Sequence, residues 1–470
     1  MIFLMDIVNE EGEDLLYSFR QAGYPVKAVS ILYDGYLPAG VTSPYEYFTR
    51  TKKDKTPNPL FFNELPVPDF WEIKGTNEKG QVIDFGEQRA RIYYAEPKHK
   101  RYIKIVDWMD QKGTVRWSDH YDQYGHRFAQ TVLDNTQKQM MKCYFDDDGK
   151  QVITENFTTG DVTLVEDGVT HIFRTKTDFV VYFMEKLGYD KEPIFFNSLS
   201  TPLFVSQKLK ANARKQDVLF WQEPIRDSIP GNMLPILNGT ATRTEKVMVQ
   251  THDAYEKMLT LGTPKKVITE LGYIYPFTRD VDGNILRNVK DSHSLHETEN
   301  IPHNVKENRS ILILTNSDQI EGLAHLMEAL PDMTFYVGAI TEMSQKLLSH
   351  SKYKNARMLP NIEMKKVDEL FATCDFYLDI NQGGEILNAI RRAFLSNLLI
   401  LGYKETLHKP AFVSPDNAYE TAKVDQLIAR LRSTSESEAS MAEALKRQQA
   451  HKLFASPEDY HRALDAIVES

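Results

Sequence analysis

Between Ser310 and Gly402 the chain alternates short, wholly apolar runs with amphipathic stretches of helical period, and this pattern leaves little choice of fold. Ser310-Ile-Leu-Ile-Leu-Thr315 is followed by helical periodicity over Ile320 to Leu330, and Met333 to Gly338 by Thr341 to His350. Arg357-Met-Leu-Pro360 precedes a helix over Lys366 to Thr373, Asp375 to Ile380 precedes one opening near Gly384, and Asn397-Leu-Leu-Ile-Leu-Gly402 closes the series. A strand that is apolar at every position is buried on both faces. That requires a parallel sheet with helices on either side, the doubly wound α/β arrangement.

The region from Phe70 to Lys176 has another texture. Segments rich in Val, Ile, Tyr, Phe and Trp are punctuated by Glu78-Lys-Gly80, Gln111-Lys-Gly113, Asp122-Gln-Tyr-Gly125, Asp146-Asp-Asp-Gly149 and Asp167-Gly168. Turn signals at this spacing predict an antiparallel meander of hairpins. The Asp146-Asp147-Asp148 triplet precedes Gly149 between two strand-like runs, which reads as a turn rather than a metal motif. The flanks, residues 1–69 and 177–300, supply strands at Lys27 to Tyr33, Pro193 to Phe196, Val218 to Gln222, Lys246 to Gln250 and Lys266 to Thr269. Helices at Glu13 to Ala22, Thr177 to Leu187 and Asp253 to Leu261 lie between them. These flanks are two halves of a second α/β domain, with the meander (70–176) inserted where a hairpin array can bring its ends together. A polar stretch, Asp280 to Asn308, links it to the C-terminal α/β domain (301–432). Its His293, His296 and His303 lack the spacing of a metal site. Residues 433–470 read as a helical tail packing back on the fold, with Pro457 placed as at a first helical turn.

At 470 residues with 41% hydrophobic content the chain can build about three cores. Its formal charge of −10 argues against a dedicated nucleic-acid binder. Two cysteines, Cys143 and Cys374, give no disulfide framework and fit a reducing compartment. Met1-Ile-Phe-Leu-Met-Asp6 lacks the basic start of a signal peptide and reads as a first strand. No apolar run reaches the ~18 residues that span a bilayer.

The turn Asp379-Ile-Asn-Gln-Gly-Gly-Glu385 carries the functional question. In nucleotide-sugar transferases of this architecture the donor diphosphate lies at such a Gly-rich turn, against a helix N-terminus. Two carboxylates about eight positions apart assist, falling within ~80° of each other on the helix. Here the second is missing in every register. Gly384 pairs with Arg392, Glu385 with Ala393, Asp379 with Leu387 and Asp375 with Gly383. The loop that should supply cations reads Thr315-Asn-Ser-Asp-Gln-Ile-Glu321, and neither Lys nor Arg occurs from Ser310 through Gln345. A diphosphate in a cleft without cations is electrostatically unfavourable.

Three stretches carry a resemblance: Asp34-Gly-Tyr-Leu-Pro-Ala-Gly-Val-Thr-Ser-Pro-Tyr-Glu-Tyr-Phe48, Trp221-Gln-Glu-Pro-Ile-Arg-Asp-Ser-Ile-Pro-Gly-Asn232 and Tyr377-Leu-Asp-Ile-Asn-Gln-Gly-Gly-Glu-Ile-Leu-Asn388. Together they resemble the stabilising, non-catalytic subunit of the two-subunit O-GlcNAc transferase that glycosylates serine-rich repeat adhesins in the accessory Sec system. The resemblance implies a GT-B-like fold: two Rossmann-like doubly wound domains with an antiparallel β-meander domain inserted in the first. It implies no cofactor of the chain's own, because UDP-GlcNAc is bound by the catalytic glycosyltransferase subunit, its partner in a hetero-oligomer. It also implies a Ser/Thr-rich adhesin polypeptide as the bound acceptor, and a cytoplasmic location, peripheral at the membrane. Such an acceptor offers hydroxyls and amides, so Gln222, Glu223, Asn232, Asn381, Gln382, Glu385 and Asn388 are candidate hydrogen-bond partners and Trp221 a candidate aromatic platform. Tyr377 is a second candidate platform, but Trp221 and Tyr377 each sit on or beside a strand, where core packing is the commoner role. The meander, with exposed sheet edges, is the expected contact with the catalytic subunit. Two other readings stay open: an active transferase with Glu385 as its single donor-site carboxylate, and a polypeptide chaperone unconnected with sugar.

Overall fold

Ile2–Met5 is buried at every position and forms an inner strand of a seven-stranded parallel sheet. Its neighbours are Lys27–Ser30 on one side and Ile194–Phe196 on the other, in the order Ile268–Glu270, Thr244–Val249, Asp217–Trp221, Ile194–Phe196, Ile2–Met5, Lys27–Ser30, Val41–Thr42. The computed structural model describes residues 1–50, 56–211, 216–224, 226–281 and 309–468. They fall into two compact units, Met1–Leu271 with Pro457–Ser470, and Gly272–Ser456.

In the first unit, Asn9 caps the helix Glu10–Gln21 by accepting from the Gly12 N–H at 2.8 Å, and Glu10, Glu11 and Glu13 favour its positive end. The helix buries Phe19 against Phe3, Phe220 and Tyr460, at ring separations of 5.4, 5.1 and 6.0 Å. Each such ring contributes roughly 1.5–3 kcal/mol by leaving water. One charged pair lies under the sheet: Arg243 Nε meets Asp217 Oδ2 at 2.8 Å, both side chains almost wholly buried. Asp217 also accepts from the Ser206 hydroxyl and the Ile194 N–H, so its carboxylate ties three segments at the start of the strand Asp217–Trp221.

Residues Glu72 to Phe173 form a ten-stranded antiparallel sheet in which each strand pairs with the next in sequence. Asp146 accepts from the N–H groups of Asp148 and Lys150, and Gly149 takes φ +79°, so the acidic triplet is a turn. The sheet is joined to the parallel one by the helix Pro44–Thr49. Tyr45 stacks on Tyr144 at 4.3 Å and donates to Glu155 Oε2 at 3.1 Å, while Lys176 pairs with the other oxygen at 2.6 Å. Gly35 is dictated by this junction: at φ +88° a Cβ would lie 2.7 Å from the Phe128 ring and 2.8 Å from the Tyr121 carbonyl.

The second unit is a six-stranded parallel sheet, ordered Ala356–Leu359, Thr334–Gly338, Ser310–Leu314, Phe376–Asp379, Leu399–Tyr403, Ala418–Tyr419. Several elements differ from the expectations above. Thr341 to His350 yields only the short helix Gln345–Leu348 and a 3-10 turn, Ser349–Lys352. The helix after the Gly-Gly turn opens at Ala389, not near Gly384, because Leu387 and Asn388 adopt left-handed backbone at φ +55° and +51°. Residues 272–281, expected in the first α/β domain, pack in the second unit instead. Phe277 and Tyr275 meet Phe394 at 5.3 and 5.0 Å, and Arg279 donates to the carbonyls of Ser396, Ala372 and Cys374. The tail divides: Val424–Ser435 and Glu438–His451 belong to the second unit, whereas Pro457–Val468 joins the first, where Tyr24 donates to Asp465. His293, His296 and His303 lie outside the described residues.

Candidate functional site

In an open parallel sheet, ligands bind at the carboxyl ends of the strands where the winding reverses. In the second unit that point lies between Ser310–Leu314 and Phe376–Asp379. The two loops that should part here are stitched together. Ile320 and Asn381 form a β-bridge, the Gln382 N–H donates to the Gln319 carbonyl at 3.0 Å, and the Glu321 N–H donates to the Ile380 carbonyl at 2.9 Å. Side chains reinforce the seam: Thr315 Oγ1 donates to Asn381 Oδ1 at 2.8 Å, and Gln382 Nε2 to Glu321 Oε2 at 2.6 Å. The Gly383 N–H is spent on Asn381 Oδ1 at 3.0 Å, and a Cβ on Gly383 would collide with Asn316 Oδ1. Gly383 thus admits a side chain of this protein, not a phosphate.

The helix start is filled in the same way. Glu385 Oε1 accepts from the Ile390 N–H at 3.0 Å, the position an anionic ligand would take. Lys409 Nζ lies 3.6 Å from Glu385 Oε2 and donates to Asn388 Oδ1 at 2.6 Å. The site therefore holds an internal anion and an internal cation. Arg392, at the place of the missing second carboxylate, pairs with Asp368 at 2.6 Å.

His408 clamps the turn. Its Nδ1 is 2.6 Å from Asp379 Oδ1, its Nε2 is 2.6 Å from the Gly383 carbonyl, and its backbone N–H donates to Asp379 Oδ2 at 2.7 Å. Both ring nitrogens face oxygen acceptors, the Asp379 carboxylate and the Gly383 carbonyl, an arrangement that favours the doubly protonated ring. Burial pulls the His408 pKa down, but the bonds to the Gly383 carbonyl and Asp379 outweigh it and the net shift is upward. A recess of about 470 Å³ remains beside the clamp, lined in part by Gln382, Glu405, His408 and Thr421. Its carboxylate, Glu405, makes it a poor seat for a diphosphate.

The first unit has its own switch point, between Ile2–Met5 and Ile194–Phe196. Here the loops carry a polar network. Asn197 Nδ2 donates to Gln222 Oε1 at 2.9 Å, and its Oδ1 accepts from the Asp6 N–H at 3.3 Å. Ser200 Oγ donates to Asp6 Oδ2 at 2.7 Å. Glu223 Oε1 accepts from Ser198 Oγ and the Leu199 N–H, at 3.1 and 2.7 Å, and Asn232 donates to the Leu199 carbonyl at 3.2 Å. The structure thus brings Gln222, Glu223 and Asn232 together around one loop, with Glu223 and Asn232 exposed. Trp221 does not join them as a platform. It is the last residue of its strand and 3% exposed, because the sheet continues to that position by pairing with Val249. Tyr377 is likewise core, parallel to Phe371. Asn381, Gln382, Glu385 and Asn388 gather in the second unit, where their bonds close the turn. Asp6, Asn197, His408, Lys409 and Asn316 were missed by sequence reasoning. The first two directly follow apolar strands that are visible in the sequence, a signal that would have found them. Asn316 follows the apolar run Ser310 to Thr315 and carries the same signal; His408 and Lys409 have none.

Comparison with known proteins decides the family. The chain matches the models of the GtfB N-terminal domain over residues 2–48, the GtfB middle domain over 71–174, the GtfB third domain over 176–261 and the GftB/GlyA-F C-terminal domain over 311–448. It is 39% identical over its whole length to 99% of the UDP-N-acetylglucosamine–peptide N-acetylglucosaminyltransferase stabilizing protein GtfB of Streptococcus gordonii. It is 40% identical over 96% of its length to 97% of the GtfB of Streptococcus agalactiae. The chain belongs to the GtfB family. A crystal structure of the GtfA/B complex bound to UDP and GlcNAc contains a chain that superposes with a TM-score of 0.89 at 38% identity, covering 99% of both. The GT-B-like architecture follows from that likeness. The GtfB middle-domain match coincides with the ten-stranded sheet, and the C-terminal match holds the stitched turn.

Proposed function

We propose that this protein is the non-catalytic subunit of a UDP-GlcNAc-dependent peptide O-glycosyltransferase. It stabilises a catalytic glycosyltransferase subunit and holds the Ser/Thr-rich polypeptide that receives the sugar. The observation that carries this reading is the closed donor crevice: Asn316, Glu385 and the Ile320–Asn381 bridge occupy the space and the hydrogen-bond donors that a nucleotide diphosphate needs. The relatives' name, stabilizing protein, agrees with a chain that has kept the fold and given up the donor. Acceptor binding is placed on the first unit's switch-point loops. There exposed Glu223 and Asn232, on a scaffold fixed by Asn197 and Gln222, offer the polar partners that a hydroxyl-rich chain requires. The ten-stranded sheet is the contact for the catalytic subunit. The polypeptide is a serine-rich repeat adhesin glycosylated at the cytoplasmic face of the membrane before accessory Sec export.

Reconstitution tests this. A Ser/Thr-rich repeat peptide and UDP-GlcNAc are incubated with this chain, with the catalytic subunit, and with both. The reading expects no transfer by this chain and the fullest transfer with both. Equal transfer by the catalytic subunit alone and by the pair contradicts it.

A further inference from the structure

Two phenylalanines in turns at one end of the ten-stranded sheet are nearly free of the protein: Phe70 is 92% exposed and Phe85 95%. Both also adopt left-handed backbone, at φ +68° and +44°. That conformation is disfavoured for a bulky residue, and among the described residues neither ring is buried to offset it. Phe85-Gly86 forms the tip of the hairpin closed by Asp84 and Glu87, a two-residue turn where Asn-Gly is the ordinary choice. The register Glu72↔Ile83 brings the residue two before the one and two after the other, Phe70 and Phe85, to the same end of the sheet. A fold that needed only a turn would put small polar residues at both places.

The charges around the tip narrow what can cover it. Asp69 and Glu87 flank the two rings in sequence, and the nearby cations are already engaged, Arg89 with Asp84 and Lys74 with Glu72, each at 2.9 Å. An anionic lipid surface would be repelled. Two copies of this chain meeting tip to tip would set each Asp69 and Glu87 against its own counterpart. A Ser/Thr-rich polypeptide has no apolar socket to offer.

We propose that Phe70 and Phe85 are a two-pronged anchor that seats in an apolar socket, rimmed by Lys or Arg, on the catalytic glycosyltransferase subunit. This rests on the reading that the chain has such a partner, and it assigns the contact to one end of the ten-stranded sheet. Paired aromatic anchors at an interface centre carry a disproportionate share of affinity, while the surrounding charges act mainly on encounter and specificity.

The test titrates the purified catalytic subunit into the intact chain, into a Phe70→Ser/Phe85→Ser variant and into an Asp69→Lys/Glu87→Lys variant. The first variant is expected to bind at least about 30-fold more weakly, with its own unfolding midpoint unchanged because both rings are solvent-exposed. The charge-reversed variant, which keeps both rings, should bind more weakly by slowing association. An unchanged Kd for the Ser variant overturns the anchor while leaving the partnership intact. If the unaltered chain does not bind the subunit, the functional reading itself fails. A third arm uses phosphatidylglycerol vesicles. Sedimentation of the unaltered chain but not the Ser variant, with Kd for the subunit unmoved, would overturn the proposal in favour of a lipid surface.

Discussion

Removing Arg243 while leaving Asp217 in place should be among the most damaging single changes in the first unit. Arg243→Met deletes the bonds to Asp217 at 2.8 and 3.2 Å and to the carbonyls of Lys210 and Glu192 at 2.9 and 3.4 Å. Asp217, wholly buried, keeps only the Ser206 hydroxyl and the Ile194 N–H. Breaking a buried pair in this way costs about 3–5 kcal/mol, because an uncompensated charge remains. Neutralising that charge should therefore recover much of the loss. Arg243→Met/Asp217→Asn is expected to be more stable than Arg243→Met by about 2 kcal/mol, since no buried charge remains, Asn Oδ1 accepts from the Ile194 N–H, and Asn Nδ2 can donate to the Ser206 hydroxyl oxygen. Burial already pushes the Asp217 carboxyl up, with Arg243 opposing the shift. Without the guanidinium the folded-state value rises further above the unfolded one, so the folded state binds a proton more readily and the deficit narrows as the pH falls. Urea unfolding of the three proteins, followed by Trp fluorescence at neutral and mildly acidic pH, reads all of this. A loss below about 1 kcal/mol for Arg243→Met, or no recovery in the double variant, would refute the reasoning.

The His408 clamp gives a pH signature of the same sense, in the unaltered protein. Its folded pKa is raised, so its stabilisation is complete below the unfolded value of about 6.5 and is lost as pH climbs through the folded one. Amide exchange around Gly383 and Gly384 should accelerate over that interval beyond its intrinsic rise, and His408→Asn should remove the excess; equal slopes in both proteins would count against the imidazolium. Gly383→Ala should unseat Asn316 and crowd the Ser317 Cβ, 2.9 Å from the new methyl, destabilising the second unit by about 1–3 kcal/mol. Adding Asn316→Ala should restore part of that, and thermal unfolding of the pair decides whether the close approach is real. Tyr45→Phe should cost about 1 kcal/mol, mostly from leaving Glu155 short of a donor between the two sheets, and an unchanged denaturation midpoint would contradict that role.

The architecture was legible because its signals are local and repetitive. Ile311 to Leu314 is apolar at consecutive positions, as a strand covered on both faces requires, and Ser310–Leu314 is that strand. The Asp-Gly punctuation of the meander and Lys112-Gly113 mark turns, whereas Lys79-Gly80 falls inside the strand Lys79–Asp84 with its turn just before it; each strand there pairs with its neighbour in sequence. Absence was legible too: no register supplies a second carboxylate after Glu385. The filling of the crevice was not. Asn316 comes from one loop and the adjacent His408 and Lys409 from another, and nothing in a linear pattern says that they converge on one turn. The late start of the helix at Ala389 was equally hidden, since Leu387 is a poor candidate for left-handed backbone on its own. Trp221 shows the reverse difficulty. An aromatic beside polar residues looks like a platform until the register with Val249 places it inside the sheet.

The central claim is that this chain carries the shape of a sugar-nucleotide cleft with the donor seat occupied by its own side chains. Isothermal titration of UDP and of UDP-GlcNAc into the isolated, pure protein measures that directly. The account predicts no saturable heat with either nucleotide up to millimolar concentration, against a clear response from the catalytic subunit under the same conditions. Saturable micromolar binding to this chain alone, lost on Glu385→Ala, would contradict it and restore the reading of an active transferase.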